Sequence, residues 1–402
     1  MIDLRIPLIR VSTAILLLML ALSAPQKSFA QAQQPANPSP YAEAVTKLAL
    51  LINQGRYDEV IGQTTEMLAQ PEAPAAPLQY LRGYAEYRIC WLGASEQDLT
   101  PLQDFSLNPN WPAASTLVQK IEALRALCPP KVHEIRDGGD VIFRVYCDED
   151  NDWSAAIIKL LPEAAKIGKD MFGVRLLETP VFIFKTNERY TAFYKLRFDK
   201  TPGSWVWASG SLGLFMFCET DPTGKKPAED TTGDYFRGTV AHEYTHTLIG
   251  RAIGTALLPR WMNEGLANVA GSKLAKEDIH KNDAKMKSLF DAKALLSLDE
   301  LNDTARFNDA VERMLSAKKV EAGKDAASAA AEAKPQGDAY AQALHMMRCL
   351  LEIGKKEDIL RFLTFFTETR DLDGSFRDVY AMSVPDFYAA WQLKNGVIPA
   401  GK

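Results

Sequence analysis

A chain of 402 residues with 47% hydrophobic composition can bury substantial cores, and its length suggests two or three folded units. The formal charge of −5 is modest for this size, and no basic patch with interleaved aromatics occurs, so nucleic acid is not an expected partner. Cys90, Cys128, Cys147, Cys218 and Cys349 form no CxxC pair and suggest neither a thiolate metal site nor a redox dithiol.

The first segment carries a targeting pattern. Arg5 and Arg10 precede the apolar run of residues 11–22, and Ser28-Phe29-Ala30 offers small residues at the cleavage positions, so residues 1–30 read as a signal peptide. The run falls short of the roughly 20 residues that cross a bilayer comfortably, which favours cleavage over anchoring. No later stretch resembles a span, and the protein is expected to be exported, periplasmic or secreted. Loss of Asp3, Arg5, Arg10 and Lys27 leaves a formal charge of −7. An oxidising compartment permits a disulfide, with Cys90–Cys128 the expected pair, while buried free thiols suit the odd count equally well.

Residues 31–40 lack apolar periodicity and read as a flexible leader. Tyr41–Asn53, Tyr57–Leu68, Leu78–Trp91 and Pro112–Leu127 place apolar residues at three- and four-residue spacings and predict amphipathic helices, with a shorter one between Gly93 and Trp111. They make a helical domain over residues 41–130 that ends at Pro129-Pro130. Asp140–Cys147 then predicts a strand, Ser154–Phe172 a helix, Pro180–Lys185 a strand, Arg189–Tyr194 a short helix and Leu212–Cys218 a further strand. The order predicts an α+β domain over residues 131–392.

The helix expected around Phe236–Arg251 contains His242-Glu243-Tyr244-Thr245-His246. At about 100° per residue the two histidines lie about 40° apart and one turn along the axis, so both imidazoles can reach one ion. Glu243, about 60° from His246, can address a water beside that ion without ligating it. Eighteen residues after His246, Glu264 lies near the start of a second helix, Pro259-Arg260-Trp261-Met262-Asn263-Glu264-Gly265-Leu266-Ala267, with Gly250 and Gly254 allowing the chain to turn between them. Two imidazoles and a carboxylate form the His₂Glu ligand set of a catalytic zinc site.

Residues 304–338 include an Ala- and Lys-rich run that reads as a poorly ordered excursion or loosely held helix. Tyr340–Ile353 and Asp358–Thr367 then predict core helices, and Ser383 with Asp386 predicts a capping box for a last helix containing Phe387 and Trp391. Residues 393–402 form a tail. His345 reads as a packed or surface histidine, and His133 and His280 lack partners at useful spacing.

Two resemblances follow from these residues. Leu107-Asn108-Pro109-Asn110-Trp111-Pro112-Ala113-Ala114 resembles the junction between tetratricopeptide repeats, and Gly55-Arg56-Tyr57-Asp58-Glu59 the start of one. This implies a helical surface that binds a peptide or protein partner, or one that supports a neighbouring domain. The histidine motif followed by WMNEGLA resembles the gluzincin metallopeptidases, most nearly the bacterial peptidase MA-like domains, over roughly Val132 to Gln392. The resemblance implies a thermolysin-like zincin fold, one Zn²⁺ held by His242, His246 and Glu264, and Glu243 as general base. It also implies a substrate-pairing edge strand within Gly210–Cys218 and Tyr340 as an oxyanion donor, although a tyrosine anchoring a core helix fits that position as well. The expected activity is hydrolysis of peptide or protein substrates by metal-activated water. The alternative is an inactive zinc-binding or peptide-binding scaffold that uses the N-terminal helices.

Overall fold

The computed structural model describes residues 40–203, 206–211, 213–220, 231–252, 254, 258–322 and 337–396. The expected signal peptide, nearly all of the leader, the end of the tail and residues 323–336 of the excursion lie outside them. From Ala44 onward the chain is one compact unit.

The described residues begin with amphipathic helices α1 (Pro40–Asn53), α2 (Tyr57–Leu68), α3 (Ala75–Arg88), α4 (Leu92–Leu99) and α5 (Ala114–Leu127). Strands β1 (Lys131–Asp137) and β2 (Asp140–Cys147) follow, joined through Gly138-Gly139. Next come α6 (Asp152–Phe172), β3 (Thr179–Phe184), α7 (Asn187–Phe198), β4 (Ala208–Ser211) and β5 (Leu214–Cys218). The C-terminal portion holds α8 (Asp234–Ala252), α9 (Arg260–Ala275), α10 (Asp283–Asp291), α11 (Leu298–Asn302), α12 (Thr304–Ala322), α13 (Ala339–Ile353), α14 (Lys356–Thr369), α15 (Leu372–Tyr380) and α16 (Val384–Lys394).

The fold is mostly helical around a small mixed sheet of order β1-β2-β3-β5-β4, consistent with the expected α+β class. β2, β3 and β5 run parallel in the centre, while β1 and β4 pair antiparallel at the two edges. Both faces of the centre are covered, which explains why β3 and β5 read as continuous apolar runs. Val181, Ile183, Phe215 and Phe217 pack with α6, α8 and the C-terminal helices. On the other face Phe182, Phe184, Leu214 and Met216 pack with Tyr80, Tyr87, Leu117 and Ile121 of the N-terminal helices.

Several expectations need correction. Thr304–Ala322 is a helix whose Phe307, Ala310 and Val311 are buried, because these three apolar side chains share one face and reach the main core. The five cysteines are free thiols, and Cys90 Sγ accepts from Arg197 Nε at 3.2 Å instead of bridging Cys128. Gly250 stays inside α8, which ends at Ala252, and Gly254 beyond it has a positive φ.

Candidate metal centre

α8 and α9 pack against each other, and together they carry the four residues singled out by the sequence motifs. One turn of helix places the Nε2 atoms of His242 and His246 3.0 Å apart. The Glu264 carboxylate, on the facing helix, puts Oε2 3.3 Å from His242 Nε2 and Oε1 3.5 Å from His246 Nε2. A tetrahedral ion with nitrogen and oxygen ligands at about 2.0–2.1 Å separates those ligands by about 3.3–3.4 Å. Each observed separation lies within about 0.4 Å of that value, though the two imidazoles meet different oxygens of the carboxylate, so a turn of Glu264 brings one oxygen to both and the three side chains could hold one ion.

The surroundings orient these donors. His246 Nδ1 is 2.9 Å from Asn263 Oδ1, so the imidazole donates there and leaves the Nε2 lone pair facing His242 and Glu264. Arg260, four residues before Glu264 on the same helix face, places Nη2 2.6 Å from Glu264 Oε1. Glu264 Oε2 is buried and accepts no hydrogen bond, a costly vacancy for a carboxylate oxygen that a cation would fill.

Electrostatics agree with this arrangement. Burial pushes the Glu264 carboxyl upward, but Arg260 and then His246 outweigh it and hold it well below the usual carboxylate range. Burial pulls the His246 imidazole down, yet the Glu264 carboxylate more than compensates and the net shift is upward. The site is thus built around an ionised, nearly inaccessible carboxylate, 1% exposed, with the His242 side chain, 16% exposed, on its more open side.

Glu243 is not one of the three donors, and its side chain is tied to the sheet. Its Oε2 accepts the backbone N–H of Gly210 in β4. β4 rests directly on α8 at this point, since a Cβ on Gly210 would lie 2.0 Å from the Glu243 carbonyl oxygen. The expected edge strand is therefore β4, reaching back to Ala208, whereas Leu214–Cys218 is the inner strand β5. Beside β4, the Tyr194 phenol of α7 is hydrogen-bonded with Ser209.

Tyr340 is the second residue of α13, half-buried, with its ring edge-on to Phe307 at 5.5 Å. α13 can lie close to α9 because Gly265 has no side chain; a Cβ there would meet Met347 Cβ at 2.7 Å and the Ala343 carbonyl oxygen at 2.8 Å. Burial first, and then the Glu264 carboxylate, pushes the Tyr340 phenol strongly upward, so it stays protonated and able to donate. His345 takes no part in this group: its Nδ1 accepts from Trp391 Nε1 at 2.9 Å in the core.

Arg260, Asn263, Gly210 and Tyr194 were missed in the sequence. Arg260 and Asn263 lie inside the quoted motif, and the four-residue spacing of Arg260 from Glu264 was a usable signal; nothing local marks Gly210 or Tyr194.

Against the expectation of a single metal site, two groups of three side chains among the described residues could hold a metal ion. The second is His133, Cys147 and Asp150, with His133 Nε2 2.8 Å from Asp150 Oδ1. His133 therefore does have partners: hairpin pairing brings them together from positions far apart in sequence. The His280 ring lies 3.0 Å from Asp283 Oδ2, and its backbone N–H donates to Asp278 Oδ1 at 2.9 Å, both within its own segment. No described helix is long and apolar enough to cross a membrane. Compared with family models and with curated proteins, the sequence matches none.

Proposed function

We propose that this protein is an exported zinc-dependent peptidase of the gluzincin type, with His242, His246 and Glu264 holding one Zn²⁺. The observation that carries the reading is the convergence of two imidazole Nε2 atoms, 3.0 Å apart, on the buried Glu264 carboxylate, whose Oε2 accepts no hydrogen bond, with a second carboxylate, Glu243, on the same stretch of α8. When bound, zinc activates a water molecule and takes up charge that develops on the scissile carbonyl oxygen.

The chain's own residues supply the rest. Glu243 accepts the proton as water attacks and returns it to the departing amine. The Gly210 N–H donates to one oxygen of that carboxylate and so fixes its position beside the edge strand. β4 is paired on one side only by β5, and its outer edge suits an extended peptide laid antiparallel or parallel to it. Tyr340 donates its phenolic proton in a hydrogen bond to the oxyanion. Asn263 fixes the His246 tautomer. The N-terminal helices act chiefly as support, because Tyr80, Tyr87, Leu117 and Ile121 share one core with the sheet.

The test is hydrolysis of an unfolded protein substrate before and after treatment with a zinc chelator. Activity falls to background on chelation and returns with about one equivalent of Zn²⁺ at this site. Undiminished hydrolysis after zinc removal refutes the proposal.

A further inference from the structure

The hairpin β1–β2 and the loop after it hold a constellation that the proposed peptidase chemistry does not use. Strand pairing sets Lys131 opposite Cys147 and His133 opposite Val145, so Lys131, His133 and Cys147 share one face of the hairpin. Asp150 reaches back from the loop that enters α6. His133 Nε2 lies 2.8 Å from Asp150 Oδ1, and Cys147 Sγ lies 3.6 Å from that same oxygen. Lys131 Nζ donates to the other oxygen, Oδ2, at 2.9 Å and so orients the carboxylate.

Two donors converging on one oxygen put two protons in the space between three heavy atoms that can all ligate. A tetrahedral ion with a sulfur ligand at about 2.3 Å and an oxygen at about 2.0–2.1 Å separates them by about 3.5–3.6 Å, which is the spacing found here. The nitrogen–oxygen edge would open by about half an ångström, a movement available to exposed Asp150. Cys147 is fully buried and backbone-paired on both sides, to β1 and to β3, so its sulfur is held on a rigid strand. His133 and Asp150 are open to solvent and give an ion its route in.

We infer that His133, Cys147 and Asp150 form a second metal site, which takes a zinc-like divalent ion as a structural clasp between the hairpin and the start of α6. Imidazole, thiolate and carboxylate together suit a borderline ion such as Zn²⁺ and not Ca²⁺ or Mg²⁺. Binding releases the Cys147 thiol proton to solvent and moves the His133 proton from Nε2 to Nδ1. One thiolate and one carboxylate then balance the ion's two charges, and water completes the tetrahedron. The clasp is independent of the peptidase proposal and shares no residue with it.

The test uses the full mature chain, stripped of metal and titrated with Cd²⁺. A thiolate–cadmium charge-transfer absorption grows in and saturates at one equivalent of bound thiolate site, and added Zn²⁺ removes it. His133→Gln and Asp150→Asn, both at exposed positions, weaken Cd²⁺ binding at least tenfold, Cys147→Ser abolishes the band, and His242→Gln leaves it unchanged. Absence of the band in the parent protein overturns the inference. So does a band of undiminished affinity in His133→Gln and Asp150→Asn, which decide the matter even if Cys147→Ser does not fold.

Discussion

Replacing Gly210 with alanine separates the two surfaces on which the proposed chemistry depends. A Cβ at this position falls 2.0 Å from the Glu243 carbonyl oxygen and 2.8 Å from its carbonyl carbon. Carbon–oxygen contacts are tolerated down to about 3.0–3.2 Å, so β4 must withdraw from α8 by about 1 Å or more. The Gly210 N–H then loses the Glu243 carboxylate, and the edge strand no longer frames the histidines. Overpacking of this kind costs about 1–3 kcal/mol of stability, and a 1 Å misplacement of reacting groups costs about 10²-fold in rate. His242, His246 and Glu264, the residues proposed to hold the metal, lie on α8 and α9 and not on β4, so metal content is retained. The assay pairs urea unfolding and zinc analysis with kcat/KM on a peptide substrate. Hydrolysis equal to that of the parent protein would refute the role given to the contact between strand and helix, and loss of zinc would show that β4 acts through the ligands.

Two further predictions test separate parts of the molecule. Tyr340→Phe lowers kcat by about 10²-fold with zinc content unchanged, and an unaltered kcat returns Tyr340 to the role of a packing partner for Phe307. His345 is held neutral: burial lowers its pKa to about 4, and its Nδ1 accepts from Trp391. An unfolded-chain histidine titrates near about 6.5. Between those values the unfolded chain binds more protons, so stability falls as pH drops from about 6.5 to 4, by at most about 3 kcal/mol for this group. His345→Gln should flatten that part of the pH dependence of urea midpoints, and an unchanged slope would show that His345 is not the group responsible.

The convergence of His242, His246 and Glu264 into a candidate metal centre was legible because its information is local. His242 and His246 need only one helical turn to converge, and Glu264 needs only a second helix close by, which the WMNEGLA stretch advertises. The capping box at Ser383 and Asp386 is local in the same way and appears as expected. What was missed depends on long-range pairing. β4, Ala-Ser-Gly-Ser, has no apolar alternation because it is a four-residue edge strand with Gly210 pressed on a helix. β1 is an edge strand of mixed charge, Lys-Val-His-Glu-Ile-Arg-Asp, whose pattern a single-sequence reading takes for loop. Gly138-Gly139 is a hairpin signal, with both residues at positive φ, and would have exposed β1. Only with the hairpin register in hand do His133 and Cys147 become neighbours. The shared core between the N-terminal helices and the sheet was hidden for a similar reason, since each helix shows an apolar stripe but not what covers it.

Glu243→Gln, measured for zinc content and peptide hydrolysis beside the parent protein, decides whether Glu243 is the base at a zinc site. The isosteric change keeps the side chain's shape and removes its ability to accept a proton, and Glu243 is not a ligand. Zinc content is unchanged and hydrolysis falls to background in the variant. Equal hydrolysis in the two proteins would contradict that role for Glu243.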